Sequence, residues 1–148
     1  SRTLPGPTGE RNVYTLAPRA RVLCMAQSAD DLLVQTAAVL ASGGTALWPH
    51  AHAGLRAKLP THVQAQVMLQ DNALSDDSLA LDAVLHHGDA PSLQAVCTAL
   101  ARRAGPIVGV TALQPGTTDI PLERLLIERA LSVNTAAAGG NASLMTIG

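Results

Sequence analysis

Arg21-Val22-Leu23-Cys24-Met25-Ala26-Gln27-Ser28-Ala29-Asp30-Asp31 is the stretch that decides the fold. After its opening arginine it is apolar without alternation, the pattern of a strand buried on both faces. Ser28 follows as an N-cap, and Asp30 and Asp31 fall in the first turn, where the positive helix end favours acids. Leu33, Thr36, Ala37 and Leu40 then recur at helical spacing to about Ser42. Gly43-Gly44 stops the helix. Strand, cap, helix and glycine stop together make one βα unit.

The cycle repeats downstream. Thr45–Trp48 reads as a strand, Ala51–Leu59 as a short helix ended near Pro60, and Val63–Leu69 as the next strand. Asp71–Leu81 is mostly loop. Ala83–Leu85 begins another strand, closed by His86-His87-Gly88. Pro91 sits at a helix start, and Leu93, Val96, Cys97, Leu100 and Ala104 form its apolar stripe. Arg102 and Arg103 in its last turn, with Gly105 behind them, suit a C-terminus. Ile107–Val110 is a further strand. The alternation predicts an α/β fold, a Rossmann-like three-layer domain over residues 13-114 with a mainly parallel sheet and right-handed crossovers.

The flanks differ. Leu4-Pro5-Gly6-Pro7-Thr8-Gly9-Glu10 is turn chemistry, so residues 1-12 read as a linker, and Val13–Leu16 as a short edge strand. Residues 115-148 read as an extended arm and C-terminal tail. Leu125, Ile127, Arg129, Leu131 and Val133 alternate as in a strand, while Leu122, Leu125, Leu126 and Arg129 also suit a helix; the arm is the preferred reading. Asn134–Gly148 is small, polar and glycine-bearing, with only Leu144, Met145 and Ile147 as anchors. It cannot build a core alone, so it lies against another surface or is disordered.

Composition narrows the function. The chain has 148 residues, enough for one core, and its 47% apolar share with 14% charge argues against disorder. With no Phe, one Trp, one Tyr and a net charge of -1, it has neither a stacking platform nor a basic stripe for nucleic acid. No apolar run approaches the ~20 residues that span a bilayer. Two distant cysteines fit a reducing, cytoplasmic setting. The opening lacks Met and is loop-like, which reads as a piece of something longer.

Each candidate chemistry competes with a plainer account. A dinucleotide site needs a glycine-rich turn after the first strand; here Met25-Ala26-Gln27-Ser28 has no glycine, and Asp30 and Asp31 would repel phosphate. No cofactor-binding residue is assigned. Cys24 in a strand and Cys97 on a helix stripe read as inert core thiols. His50, His52, His86 and His87 all fall on the carboxyl edge of a parallel sheet, where such folds bind ligands. No carboxylate or cysteine completes a metal set at a recognisable spacing, so no metal ligand and no catalytic residue is assigned. Asp76-Asp77 and Glu123/Glu128, the latter among Arg124 and Arg129, read as solvated or ion-paired surface.

Glu128-Arg129-Ala130-Leu131-Ser132-Val133-Asn134-Thr135-Ala136-Ala137-Ala138-Gly139-Gly140-Asn141-Ala142-Ser143-Leu144-Met145-Thr146-Ile147-Gly148 closely resembles the C-terminus of the proline utilization A family. Those are bacterial bifunctional enzymes joining proline dehydrogenase to L-glutamate-γ-semialdehyde dehydrogenase. Leu4-Pro5-Gly6-Pro7-Thr8-Gly9-Glu10-Arg11-Asn12 resembles the join after the family's aldehyde-dehydrogenase domain. Tyr14-Thr15-Leu16, Arg21-Val22-Leu23-Cys24, Leu47-Trp48-Pro49 and His87-Gly88-Asp89 are similar to the C-terminal domain of the longer members. The resemblance implies FAD and NAD in the parent protein and no cofactor in this fragment. It implies a degenerate aldehyde-dehydrogenase-like Rossmann domain that covers the cavity through which the intermediate passes. Its partner would be the aldehyde-dehydrogenase domain of the same polypeptide, cytoplasmic, with peripheral membrane association through the parent.

The docking, channel-closing tail would comprise Ser132, Val133, Asn134, Thr135, Ala136, Gly139, Gly140, Asn141, Ser143 and Leu144. Small residues let a backbone lie close against another surface, and Asn134, Thr135, Asn141 and Ser143 can satisfy polar groups that the contact buries. Two alternatives stand beside this. One is an independent ligand-binding domain using Ser28, His50 and His86 at the carboxyl edge. The other is an oligomerisation module in which the Leu122–Asn134 arm pairs with a partner's sheet edge.

Overall fold

Alternation along the buried strands sorts their side chains into two cores. In the computed structural model, which describes residues 1–6 and 9–134, strand β3 (Arg21–Met25) sends Val22 and Cys24 to one face and Leu23 to the other. Strands β4 (Thr45–Trp48) and β6 (Ala83–His87) do the same with Ala46 and Trp48 against Leu47, and with Ala83 and Leu85 against Val84. Helix α1 (Ala29–Ser42) supplies Leu32 and Val39 to the first core, joined by Ile120 and Leu125. Helix α4 (Ala90–Ala101) supplies Val96 to the second, with Ala73 and Leu81 from the long loop before β6. A strand covered on both faces must be apolar at every position, which is what Val22-Leu23-Cys24 shows.

Strands β5 (Val67–Leu69) and β7 (Gly109–Leu113) complete a five-stranded parallel sheet of order β5-β4-β3-β6-β7. The chain winds outward from β3 to β5, returns to the other side of β3, and winds outward again. This is a doubly wound α/β sheet, and its switch point lies between β3 and β6. The expected α/β, Rossmann-like fold is therefore present.

Contacts divide the chain into two units, one of Pro18–Ile127 and one of Ser1–Ala17 with the segment from Glu128. The second contains β1 (Arg2–Leu4), β2 (Glu10–Pro18) and β8 (Leu126–Asn134), in a three-stranded sheet of order β1-β2-β8. The stretch read as linker thus begins with a strand: Arg2, Thr3 and Leu4 pair antiparallel with Tyr14, Val13 and Asn12. Val13–Leu16 is correspondingly part of a longer, central strand rather than an edge.

Other differences are local. Val63 lies in helix α3 (Thr61–Gln64), because the Pro60 carbonyl accepts the N–H groups of Val63 and Gln64; the strand starts only at Val67. The helix expected over Ala51–Leu59 is a 3-10 turn, His50–His52, followed by α2 (Ala53–Arg56). The last strand begins two residues late, at Gly109, where pairing with Ala83 sets the register. Leu122–Leu125 forms a 3-10 turn before β8, so both periods seen in that stretch are used in succession.

Arg103 lies just past α4 rather than in its last turn. Its Nη1 donates to the carbonyls of Ala73 and Asp76, each at 2.7 Å, and its Nη2 to that of Leu79 at 2.7 Å. It thereby holds the irregular loop before β6 against the end of α4. Arg103→Ala is expected to lower stability by about 2–3 kcal/mol in urea denaturation. Arg103→Lys is expected to recover less than half of that, since one ammonium cannot reproduce the planar fork.

Candidate functional site

The switch point is where an open α/β sheet presents its crevice, and a cavity of about 180 Å³ opens there. Cys24, Met25, Ala26 and Gln27 line it from the end of β3, His86 and His87 from the end of β6, and Pro49, His52 and Ser92 from the loops and α4. Of the four histidines of the carboxyl edge, His52, His86 and His87 line this cavity and His50 does not, and each has a separate use. His50 Nδ1 meets the Asp71 carboxylate at 3.0 Å, and its backbone N–H donates to the same carboxylate at 2.9 Å. His52 stands edge-on to Trp48, ring centroids 6.2 Å apart. His86 Nε2 lies 3.0 Å from Ser92 Oγ. Among the described residues no three His, Cys, Asp or Glu side chains are grouped as a metal would require.

His87 is buried and fully engaged. Gln35 Nε2 donates to the carbonyl of Met25 at 2.9 Å and to His87 Nδ1 at 2.8 Å. An amide nitrogen only donates, so Nδ1 accepts and the proton sits on Nε2, which donates to the Thr117 carbonyl at 2.8 Å. Asp31, on the first turn of α1, accepts the Gly116 N–H at 3.0 and 3.2 Å. Its carboxylate also lies 3.9 Å from His87 Nε2. The loop after β7 is therefore tied down onto the N-terminal turn of α1. Ser28 caps that helix, its hydroxyl accepting the Asp31 N–H at 3.1 Å.

The thiols part company. Cys24 is buried, and desolvation raises its pKa to about 12 against a smaller lowering by its hydrogen bond with Thr36, so it is inert at neutral pH. Cys97, expected in the core, is exposed: α4 turns Val96 inward, and Cys97 lies one residue round the helix. Gln35 and Thr117 were not singled out by sequence reading. The available signal was Gln35 itself, an amide between Leu32 and Val39 on the buried face of α1, which it shares with Asp31 and Thr36.

Of the tail residues, Ser132, Val133 and Asn134 end β8. The Ser132 hydroxyl donates to the Glu10 carboxylate, and the Tyr14 hydroxyl bonds to Glu128, which raises the tyrosine pKa. These two contacts run in opposite directions along β2 and β8, as antiparallel strands require. Thr135, Ala136, Gly139, Gly140, Asn141, Ser143 and Leu144 lie outside the described residues.

Two outcomes follow. Gln35→Leu strands the Met25 carbonyl and His87 Nδ1 in the interior and is expected to cost about 2–3 kcal/mol in urea denaturation. Burial holds the His86 imidazole below its ordinary 6.5, against an opposing pull from Asp89. The unfolded chain then binds this proton first, so stability falls as pH drops below about 6.5. Asp76 and Asp89 are held below their ordinary 3.8 and lose their contribution only under that value, outside this window. Urea midpoints measured between about pH 5 and 7 should slope less in His86→Asn.

No family model matches the chain. It is 54% identical over 149 residues to the bifunctional protein PutA of Escherichia coli K12, covering 99% of this chain and 11% of that protein. The PutA of Salmonella typhimurium is 55% identical over 151 residues, again 99% of this chain and 11% of the relative. The chain thus spans about a ninth of the curated relatives it matches. In fold, it superposes on a point mutant of Bradyrhizobium japonicum proline utilization A with a TM-score of 0.55 at 22% identity, covering 76% of this chain and 13% of that one. It also superposes on an NAD-dependent benzaldehyde dehydrogenase from Corynebacterium glutamicum, TM-score 0.52 at 16% identity, covering 78% and 28%. At this identity over nearly its whole length, the chain is a homologue of one segment of the bifunctional proline utilization A proteins.

Proposed function

We propose that the chain is the C-terminal, non-catalytic domain of a bifunctional enzyme that oxidises L-proline to L-glutamate. In this reading the parent protein uses FAD for proline dehydrogenation and NAD for semialdehyde oxidation, and works in the cytoplasm with peripheral membrane association. Residues 1-12 connect from the aldehyde-dehydrogenase domain. Pro18–Ile127 form the Rossmann-like body, and the segment from Glu128 forms the arm and tail that dock back on that dehydrogenase. The domain covers the cavity through which the intermediate passes, and Ser132–Gly148 supports the semialdehyde dehydrogenase activity. Among the described residues no helix is long and apolar enough to cross a membrane.

The observation that carries the reading is the state of the switch-point crevice. A dinucleotide pyrophosphate needs free backbone N–H groups and a positive helix end. Here the turn Met25–Ser28 has no glycine, Asp30 and Asp31 occupy the first turn of α1, and the Asp31 carboxylate holds the loop at Gly116 over it. These residues do not fit a nucleotide, and the buried Cys24 does not fit a nucleophile. A domain of this fold retained without its site fits a lid, which excludes water and holds an intermediate in.

Deleting Ser132–Gly148 from the full-length parent is expected to leave proline dehydrogenation largely intact. Semialdehyde oxidation and the coupled proline-to-glutamate flux should both fall by about tenfold or more, the scale of losing a domain closure. Separate assays of the two half-reactions and of NADH formation from proline test this; unchanged coupled flux removes the channel-closing role. One observation favours a second role in assembly: Leu131 and Val133 on β8 are 60% and 41% exposed, at the end of the three-stranded sheet. A second copy pairing there makes the sedimentation coefficient depend on concentration.

A further inference from the structure

The two edges of the five-stranded sheet are finished differently. At β5, the Gln66 carbonyl accepts from Ala46 in β4, so alternation turns the Val67 carbonyl outward. Arg56 occupies it, with Nε donating to Val67 at 2.7 Å and Nη2 to the Gln64 carbonyl at 2.8 Å. That edge is short and guarded. At β7, the Leu113 carbonyl accepts from Gly88 on the β6 side. In a parallel pair, residues of that parity direct both backbone groups inward, which leaves the N–H and C=O of Val110 and Ala112 on the outer edge. No described residue hydrogen-bonds them. Gly109-Val110-Thr111-Ala112-Leu113 carries no charge and no proline, the usual devices that blunt an edge.

Beside this edge lies a groove of about 560 Å³ lined by Cys97, Leu100, Val108 and Val110, with Ile107 99% exposed at its lip. Arg103 borders it, but its guanidinium is already bound to the carbonyls of Ala73, Asp76 and Leu79. The groove has no free charge to offer an ion or a nucleotide. What fits it is extended, apolar backbone.

We propose that the β7 edge takes up, as a sixth strand, an extended apolar segment of the longer polypeptide to which this chain belongs, burying Ile107 and the groove beneath it. This rests on the reading of the chain as one domain of a parent protein. Its relatives are about nine times longer than the chain, so most of the polypeptide is available to supply the strand. Strand addition takes its affinity from backbone bonds such as those of Val110 and Ala112, and its specificity from an apolar pocket beside the edge.

Native Cys97 reports on the groove directly. The full-length parent is treated with N-ethylmaleimide for timed intervals, and modification of the Cys97 peptide is followed by mass spectrometry alongside hydrogen exchange of the peptide spanning 105–113. The same is done for the parent carrying Ile107→Lys, a position whose exposure leaves the domain's own fold untouched, with thermal melting as the check. Expected is a rise of about tenfold or more in either rate in the variant, as the covering strand is loosened. Equal rates in the two proteins by both measures overturn the proposal. Protection that disappears on about hundredfold dilution also overturns it, in favour of a second copy as the occupant. An open Cys97 with impaired flux in the tail deletion removes this edge but leaves the channel reading; a protected Cys97 with unchanged flux does the reverse.

Discussion

A neutral imidazole at the end of the central sheet holds the domain's business end together. His87 is the last residue of β6, and each of its ring nitrogens bonds to a different part of the chain: Gln35 in the middle of α1, and the Thr117 carbonyl in the loop after β7. Gln35 in turn bonds the Met25 carbonyl at the end of β3. The two strands that flank the switch point, the first crossover helix and the last loop are thus joined through two side chains. In a dry interior, partners of this kind cannot be lost singly without leaving a buried polar group unsatisfied.

That junction also decides what the crevice can be. An open α/β sheet leaves a gap where its two halves diverge, and ligand-binding members keep the helix end in the gap free. Here the helix end carries its own acids, and Asp31 draws the Gly116 N–H down over it. The local electrostatics favour the protein's own loop over a phosphate. What remains is a small cavity whose histidines are divided among structural contacts.

Outside the cleft, the domain carries apolar side chains on its surface. Among the described residues, Ile107 beside β7 and Leu131 on the small sheet are the most exposed of its large apolar side chains, with Leu4, Leu16, Met68, Leu122 and Val133 less so. The body is held without them, by two cores on the faces of the large sheet and by Arg103 across the irregular loop. The relatives it matches are much longer bifunctional proteins, of which the matched segment makes up about a ninth.

The sequence by itself determined the βα alternation, the buried strands, the Ser28 cap, the Gly43 stop and the absence of a glycine-rich turn. These are local properties, set by backbone conformation and by the period of apolar residues. It also determined the family resemblance at both ends of the chain. Short segments were less legible: Val63 and Leu122–Leu125 carry strand and helix signals together, and only the position of Pro60 or the burial of Leu125 settled them. Tertiary structure alone decided that Arg2–Leu4 pairs with Asn12–Tyr14, that Cys97 faces outward, and that Arg103 reaches back to three carbonyls. It alone brought Gln35, His87 and Thr117 together. Residues 52 and 30 positions apart leave no mark of their pairing in composition or period, because a hydrogen bond depends on where the chain returns and not on what stands beside it in sequence.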